Sequence, residues 1–479
     1  MLRALSISLC AAAFLLAWLP RLRFGFWTDE AGTFWMASEG WWAAIARSWS
    51  FPGQSVLYGV LQSFFVWKGP WEEPLLRIPS VLAMLVAAWQ LKKLAERLIA
   101  PDAGWLSLVP FFCSPEVAIF GTSARPYPLA MAASLASFRY LLQWQEDASP
   151  RTIVKYLVAS VLTVYFHYLF GFVFVIQAVY LAYCVLTGRK VRLGLPLIAA
   201  LVLPLSLLPL LSQLRFTAHL SNAFADAAKP TLTQLIQLSL PPALLLGTAL
   251  GAILLLILQR GFTWRNSPPC PQWIVLGAAW MFLGPIVFFA ANRLTGLSVF
   301  ATRYLLFTLP AVLLAIAWLI SGVRNPAHRN FLLVAIFMAT ALHPSSLLTA
   351  FRPSPSSWRE PLTFVARHAA PPAPVFITSG LADSSWLNWK TENPRTSPLY
   401  SPMSAYPVPN RAIGLPYQFG PQVQEFIGQI DFSPYQSLFL VAAQDSPVGT
   451  WMSSHLEQRG FRADVHPLND YVVIEYRRP

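Results

Sequence analysis

The chain has 479 residues, of which 56% are hydrophobic and only 11% charged, and its formal net charge is +13. This composition excludes a soluble globular protein and a disordered one, and describes a polytopic membrane protein whose spans must be helices or a closed barrel. Apolar runs such as Leu235 to Leu258 and Ala301 to Ile320 approach the roughly 20 residues a helix needs to cross a bilayer. Barrel strands would instead alternate over about 10 residues, so an all-α membrane bundle is expected.

Residues 2 to 20 form the first span. The run ends in Leu19-Pro20-Arg21-Leu22-Arg23 without a small-x-small cleavage site, and Leu9 before Cys10 makes a poor lipobox, so it reads as a retained helix. Directly after it comes Phe26-Trp27-Thr28-Asp29-Glu30-Ala31-Gly32-Thr33-Phe34-Trp35. A carboxylate pair where the chain leaves hydrocarbon is costly if buried and unnecessary if exposed, which makes it a candidate for proton transfer or cation binding, against the plainer reading of a solvated loop. The apolar stretch Val56 to Trp67 is too short to cross and is expected flat or re-entrant on the outer surface, with Trp41, Trp42 and Trp49 nearby.

Further helices are expected near 75–91, 102–121, 128–144, 153–166, 170–187, 193–213, 234–258, 272–290, 302–320 and 330–349, giving about eleven spans with the first. Basic clusters recur at Lys92/Lys93/Arg97, Arg151/Lys155, Arg189/Lys190/Arg192, Arg260/Arg265 and Arg324/Arg329. Residues 351 to 479 hold ten basic and ten acidic residues, so the whole positive excess lies in the membrane part. This is the positive-inside signature of cytoplasmic loops, not a nucleic-acid footprint; it places the N-terminus inside and residue 350 outside. Cys10, Cys113 and Cys184 lie in apolar runs and Cys270 in a short loop, with no disulfide or metal-binding spacing.

Alternation then collects the remaining polar clusters on the outer side: Asp29-Glu30, Arg77, Ala124-Arg125-Pro126-Tyr127, His167-Tyr168, Arg215 to Lys229, and Asn292-Arg293 through Arg303-Tyr304. Arginine binds phosphate oxygens bidentately, and a lipid phosphate is the natural anion at such an interface. Each member also has a structural reading. Arg77 and Arg303 can snorkel, Arg77 can pair with Glu72-Glu73, and a histidine between aromatics, such as His167, is more often a hydrogen-bonded structural residue.

After Phe351 the composition turns to prolines, serines and balanced charge, expected to form an extracytoplasmic α/β domain. Its elements are a helix at Trp358 to His368, strands at Pro374 to Thr378 and Leu438 to Val441, a helix near Val448 to Arg459, and a last strand at Tyr471 to Glu475. The Pro-rich middle, Pro394 to Pro421, reads as an ordered loop or a long surface excursion. The domain division is 1–350, including the first outer loop 21–74, and 351–479.

With these residues in place the chain resembles the GT-C superfamily of polyprenyl-phosphate-sugar-dependent glycosyltransferases, near the protein O-mannosyltransferase and lipid A aminoarabinose transferase branch. The matching pieces are Trp27-Thr28-Asp29-Glu30, Leu76-Arg77-Ile78-Pro79-Ser80, Ser123-Ala124-Arg125-Pro126-Tyr127-Pro128-Leu129, His167-Tyr168-Leu169-Phe170-Gly171 and Arg303-Tyr304-Leu305-Leu306, in the family's order. The resemblance implies transfer of a sugar, with inversion, from a lipid phosphate carrier to a glycan, lipid or protein acceptor on the outer face of the cytoplasmic membrane. It assigns Asp29 as catalytic base and Glu30 as orienting or acceptor-binding group. Arg77, Arg125 and Arg303 would hold the donor phosphate, with Tyr127, His167, Tyr168 and Tyr304 as substrate-binding residues.

Two departures stand out. Many relatives carry Arg-Pro-Asp where this chain has Arg125-Pro126-Tyr127, so a second carboxylate is missing there; Glu116 comes earlier and is expected to be buried. No cofactor is assigned, and a divalent metal is left as an option. The usual His/Lys-Pro-Pro-Leu-Tyr is here Phe51-Pro52-Gly53-Gln54-Ser55-Val56-Leu57-Tyr58, which removes a basic group. The competing readings are a transporter or lipid flippase, which should show pseudo-symmetry and charges within its spans, and a noncatalytic scaffold that presents the tail.

The topology is directly testable. A reporter fused after Arg192 or Arg324 should be active only in the cytoplasm, and one fused at Ser354 only outside; a cytoplasmic tail would remove the outer-face site.

Overall fold

The computed structural model describes residues 2–50, 55–211, 213, 229–258, 271–343, 356–379, 397–416, 419–444 and 446–479. The departure at Phe51 to Gln54, the polar stretch after Arg215, the Arg260/Arg265 loop, Cys270 and Ser354 lie outside these residues. The chain forms two compact units. One contains the residues before Arg23 and the described residues from Arg77 to Arg352; the other contains Arg23–Leu76 and the described residues after Pro353.

The first unit is helical. Among the described residues four helices are long and apolar enough to cross a membrane, Leu2–Arg23, Glu72–Leu98, Tyr168–Leu186 and Trp273–Thr295, and up to six are if each of two bent pairs counts as one span. The expected single helix over 102–121 is such a pair. Ala103–Cys113 ends at Ser114, whose hydroxyl caps the next helix by accepting from Val117 N, and Pro115–Gly121 leaves at 70°. Proline at the first helical position lacks the N–H that would continue the ladder, so the break falls where the sequence can best tolerate it. The expected 234–258 helix likewise divides into Leu232–Ser239 and a second helix starting at Pro242, bent by 64°. Shorter apolar helices occupy Gly194–Leu210, Leu306–Gly322 and Pro326–Leu342.

Small residues set the closest helix approach. Gly247 and Gly251, one turn apart on the Pro242–Leu258 helix, lie against Pro326–Leu342. A Cβ at Gly247 would sit 3.0 Å from Ala339 Cβ and 3.1 Å from Ile336 Cα, and one at Gly251 would sit 2.9 Å from Ala335 Cβ. Lipid tails are as apolar as leucine, so association in a bilayer relies on such close van der Waals contact. Elsewhere Trp280 is fully buried, stacks on Phe138 at 3.8 Å between centroids, and donates from Nε1 to the Phe307 carbonyl at 2.7 Å. Arg329 is buried as well, satisfied by Asp102 and by the carbonyls of Ser321 and Val323.

The second unit joins the loop after the first helix to the tail. The loop forms three helices, Thr28–Ala37, Trp41–Ser50 and Val56–Ser63. The last is capped by Ser55, whose Oγ accepts from Tyr58 N at 3.1 Å, and its Gly59 lies close to Ser48. Trp41, Trp42, Phe64, Trp67 and Trp71 are exposed on this unit.

The tail is a five-stranded sheet with strands β1 Val375–Thr378, β2 Ala412–Leu415, β3 Ser437–Ala443, β4 Arg462–Leu468 and β5 Tyr471–Arg477, in the order β2-β1-β3-β5-β4. β1 pairs in parallel with β2 and β3, and β5 pairs antiparallel with β3 and β4. The expected strands and both expected helices are present, as Arg359–His368 and Pro447–Glu457. β2 and β4 were not expected. β2 is only four residues long and lies inside the Pro-rich stretch, which therefore contributes a strand and, through Leu399 and Tyr400, buried core. β4 is an edge strand with no buried residue, so it lacks the apolar signal by which strands are recognised.

Overpacking the glycine contact should separate the two helices. Gly251→Leu is expected to cost about 1–3 kcal/mol, seen as a lower melting temperature in detergent, whereas Gly277→Leu, where a Cβ meets nothing within 4 Å, should melt like the wild type.

Candidate functional site

The residues singled out in the sequence fall into two groups, one in each unit. Asp29 and Glu30 occupy the first turn of the Thr28–Ala37 helix, after Trp27 in extended conformation. The helix N-terminus carries partial positive charge from its unpaired N–H groups, so it stabilises carboxylates there. The two differ in environment: Glu30 is fully buried, while Asp29 is partly accessible. The Thr33 hydroxyl donates to the Asp29 carbonyl at 3.1 Å, and Ala31 to Ala37 are all buried, so the acidic turn sits on a packed helix.

The stretch leading into Asp29 is held by residues from the tail of the same unit. Tyr406 Oη accepts from Phe26 N–H at 2.7 Å and donates to Glu73 Oε1 at 2.8 Å. Trp358 N–H donates to the Phe26 carbonyl at 3.0 Å, and Trp358 Nε1 to the Thr28 hydroxyl at 3.2 Å. Glu73 also receives Arg359 Nε at 3.0 Å and Nη2 at 2.5 Å. Of the two roles open to Glu73, it thus takes Arg359 as a partner. These residues were missed because their roles depend on partners more than 280 positions away; the only local signal was Glu72-Glu73 itself.

The second group lies in the helical unit and gathers residues from three separate places in the chain. Tyr127 opens the Tyr127–Asp147 helix, His167 sits at the end of Pro150–Phe166, and Arg303-Tyr304 precedes the turn at Leu306–Thr308. Their rings meet: Tyr127 to His167 at 5.0 Å, His167 to Tyr304 at 5.5 Å and Tyr127 to Tyr304 at 6.3 Å. Arg125 lies over the Tyr127 ring at 5.7 Å and Arg303 over the Tyr304 ring at 5.0 Å. Burial, with the charges of Arg125 and Arg303, holds the His167 imidazole well below its ordinary value, so it stays neutral beside two cations. Its Nδ1 is buried without a hydrogen-bond partner among the described residues. Two guanidinium groups and a neutral imidazole, braced by tyrosine rings, make an anion-binding arrangement.

Arg77 and Tyr168 stand differently. Arg77 is buried and its Nη1 donates to the carbonyls of Arg21 and Leu22, both at 3.0 Å, which ties down the end of the first helix. It adjoins the cluster indirectly, since Ser80, one turn further along its helix, donates to the Arg125 carbonyl at 3.3 Å. Tyr168 donates its hydroxyl to Gln213. Glu116, expected to be buried, is half-buried at a helix start, where it accepts from Ser114 Oγ at 2.6 Å and lines a small cavity of about 30 Å³ with Gln237 and Thr302. Among the described residues no three His, Cys, Asp or Glu side chains come together as a metal site would require.

No protein-family model and no curated protein matches the chain. Solved structures do match over almost the full length. ArnT from Cupriavidus metallidurans bound to undecaprenyl phosphate superimposes with a TM-score of 0.59 at 11% identity, covering 98% of this chain and 97% of that one. The same protein in the apo state gives 0.58 at 11%, with the same coverage. The likeness is one of fold, and it is the GT-C fold expected from the ordered motifs.

The geometry of Arg77 makes a specific expectation. Arg77→Gln removes charged hydrogen bonds to two helix-end carbonyls and should lower stability by on the order of 2 kcal/mol, read as melting temperature, with Arg77→Lys in between. A wild-type melting temperature in both variants would show that these bonds add nothing to the fold.

Proposed function

We propose that the chain is an inverting glycosyltransferase of the cytoplasmic membrane that moves a sugar from a polyprenyl-phosphate carrier to an acceptor on the outer face. The observation that carries this reading is the convergence of Arg125, Tyr127, His167, Arg303 and Tyr304, from three separate motifs of the sequence, on one cluster. The fold supports the carrier class, because the matching ArnT structure was solved with undecaprenyl phosphate. In this reading eleven helical segments cross the membrane, the N-terminus is cytoplasmic, and the sheet domain lies outside with the acidic loop.

Asp29 takes the proton from the acceptor hydroxyl as its oxygen attacks the anomeric carbon. The bond from that carbon to the carrier phosphate breaks on the opposite side, and the phosphate leaves with the electron pair. Lipid phosphate is a good leaving group only if its growing charge is met, which is the task of Arg125 and Arg303. His167, neutral and with an unused buried nitrogen, can add a hydrogen bond without adding a third positive charge. Glu30 orients the turn or the acceptor, and Tyr127, Tyr168 and Tyr304 contribute to substrate binding. Arg77 supports the site from behind if its carbonyl bonds are its main work.

The deciding experiment incubates the purified protein with a panel of polyprenyl-phosphate sugars and follows release of free lipid phosphate. Turnover with one donor establishes class and donor together; no release with any of them would send the reading back to fold analogy.

Two variant series test the roles. Asp29→Asn keeps the shape but loses basicity, so transfer should fall about 100- to 10,000-fold with the protein still folded and inserted. Activity within a few-fold of wild type would remove Asp29 as base. At Arg125 and Arg303, Lys keeps the charge and loses the fork, so affinity for polyprenyl phosphate should weaken less with Lys than with Gln. Unchanged affinity in all four variants would leave the phosphate without its proposed partners.

A further inference from the structure

We infer that Tyr406, Glu73 and Arg359 form a positioning knot that fixes the backbone entering Asp29, so that the tail domain sets the orientation of the catalytic turn. The inference rests on the assignment of Asp29 as base. Within six residues before Asp29, four groups are tied to partners in the tail: the Arg23 carbonyl to Arg359 Nη2 at 2.9 Å, Phe26 N–H to Tyr406, the Phe26 carbonyl to Trp358 N–H, and the Thr28 hydroxyl to Trp358 Nε1. Tyr471 adds a second hydroxyl 3.4 Å from that of Thr28 while its ring lies 4.2 Å from Trp358. Gly25 has no room for a side chain, since a Cβ there would lie 2.1 Å from Ser357 Oγ and 2.9 Å from Arg359 Cβ. The strap is thus pressed against the tail along its length.

Glu73 is the centre of the knot. Its carboxylate is 6% exposed, and a buried carboxylate is tolerable only with charged or multiple hydrogen-bond partners. Here one oxygen collects two donors from Arg359 and one from Tyr406. That places the Tyr406 proton on the Glu73 side and leaves the phenol oxygen's lone pair for Phe26 N–H, so the direction of every bond in the chain is determined. Burial, reinforced by the Glu73 carboxylate, raises the phenol's affinity for its proton, and Tyr406 remains a donor at any physiological pH. Phe26 itself is fully buried between Phe34 of the acidic helix, at 5.7 Å, and Tyr406, at 6.0 Å, which passes the constraint on to the helix bearing Asp29.

A catalytic base in the first turn of a short helix needs such support for the strap that leads into it, because a misplacement of about 1 Å can cost on the order of 100-fold in rate. Tyr406→Phe deletes one hydroxyl and keeps the ring, which makes it the sharpest probe. Hydrogen exchange of the intact protein should show amides of residues 24–37 exchanging about tenfold faster while the β3 amides stay protected. In lipid-phosphate release, kcat should fall about 10- to 100-fold with the donor KM unchanged, since the donor-binding arginines are untouched. Glu73→Gln keeps an acceptor oxygen for Tyr406 but weakens the Arg359 bonds, and should give a smaller change of the same kind, which covers the case where Tyr406→Phe folds poorly. Wild-type exchange at residues 24–37 in both variants would overturn the knot. Faster exchange with wild-type kcat would overturn its role in positioning. If the wild type itself releases no lipid phosphate from any donor, the functional reading fails, and exchange alone still decides whether the knot holds the strap.

Discussion

A charged side chain in a chain this apolar must be paired, hydrogen-bonded or in use, because removing it from water costs several kcal/mol that packing alone cannot return. The structure obeys this rule at each buried charge with described partners, and the rule sorts them. Arg329 answers to Asp102 and two carbonyls, Arg77 to the two carbonyls ending the first helix, and Glu73 to Arg359 and Tyr406. Arg47 reaches Glu39 at 2.8 Å and lies over the Trp35 ring. Arg125 and the half-buried Arg303 come together with aromatic rings and with a histidine that stays neutral.

The two units solve the problem of order in different ways. In the helical unit, apolar surface faces an apolar solvent and close contact must come from shape, as at Gly247 and Gly251 and around Trp280. In the loop and tail unit, ordinary burial operates: Phe376, Leu440, Met452 and Ile474 share a core beneath the sheet, and the loop is fastened by hydrogen bonds and by the ion pair of the half-exposed Arg359 with the buried Glu73. Fastening by directional bonds suits a segment that must present a carboxylate in a definite pose, since apolar contact alone leaves orientation loosely specified.

Fold likeness to ArnT narrows the possibilities without selecting among them, because one fold hosts many activities. A transporter would place its charges along a path between the membrane faces. The proposed reading asks instead for a carboxylate to take a proton and for arginines to meet the charge of a departing lipid phosphate.

By itself the sequence determined the class, the helical character, the positions of most of the long apolar helices, and five elements of the tail, because those follow from local periodicity and from the cost of exposing backbone in lipid. It also picked out Arg125, Tyr127, His167, Arg303 and Tyr304, through short motifs whose residue types carry their chemistry. Tertiary structure alone decided that those five meet, that Tyr168 turns to Gln213, and that Arg77 is bonded to the end of the first helix. It alone revealed the bends at Ser114 and Ser239, the strand within the Pro-rich stretch, and the union of residues 23–76 with the tail. The physical reason is common to these cases. A hydrogen bond such as Tyr406 to Phe26 spans 380 positions and leaves no periodic trace at either end, and an edge strand such as β4 has no buried residue to mark it. Local physics is written along the chain, whereas the pairing of distant polar groups exists only once the chain has folded.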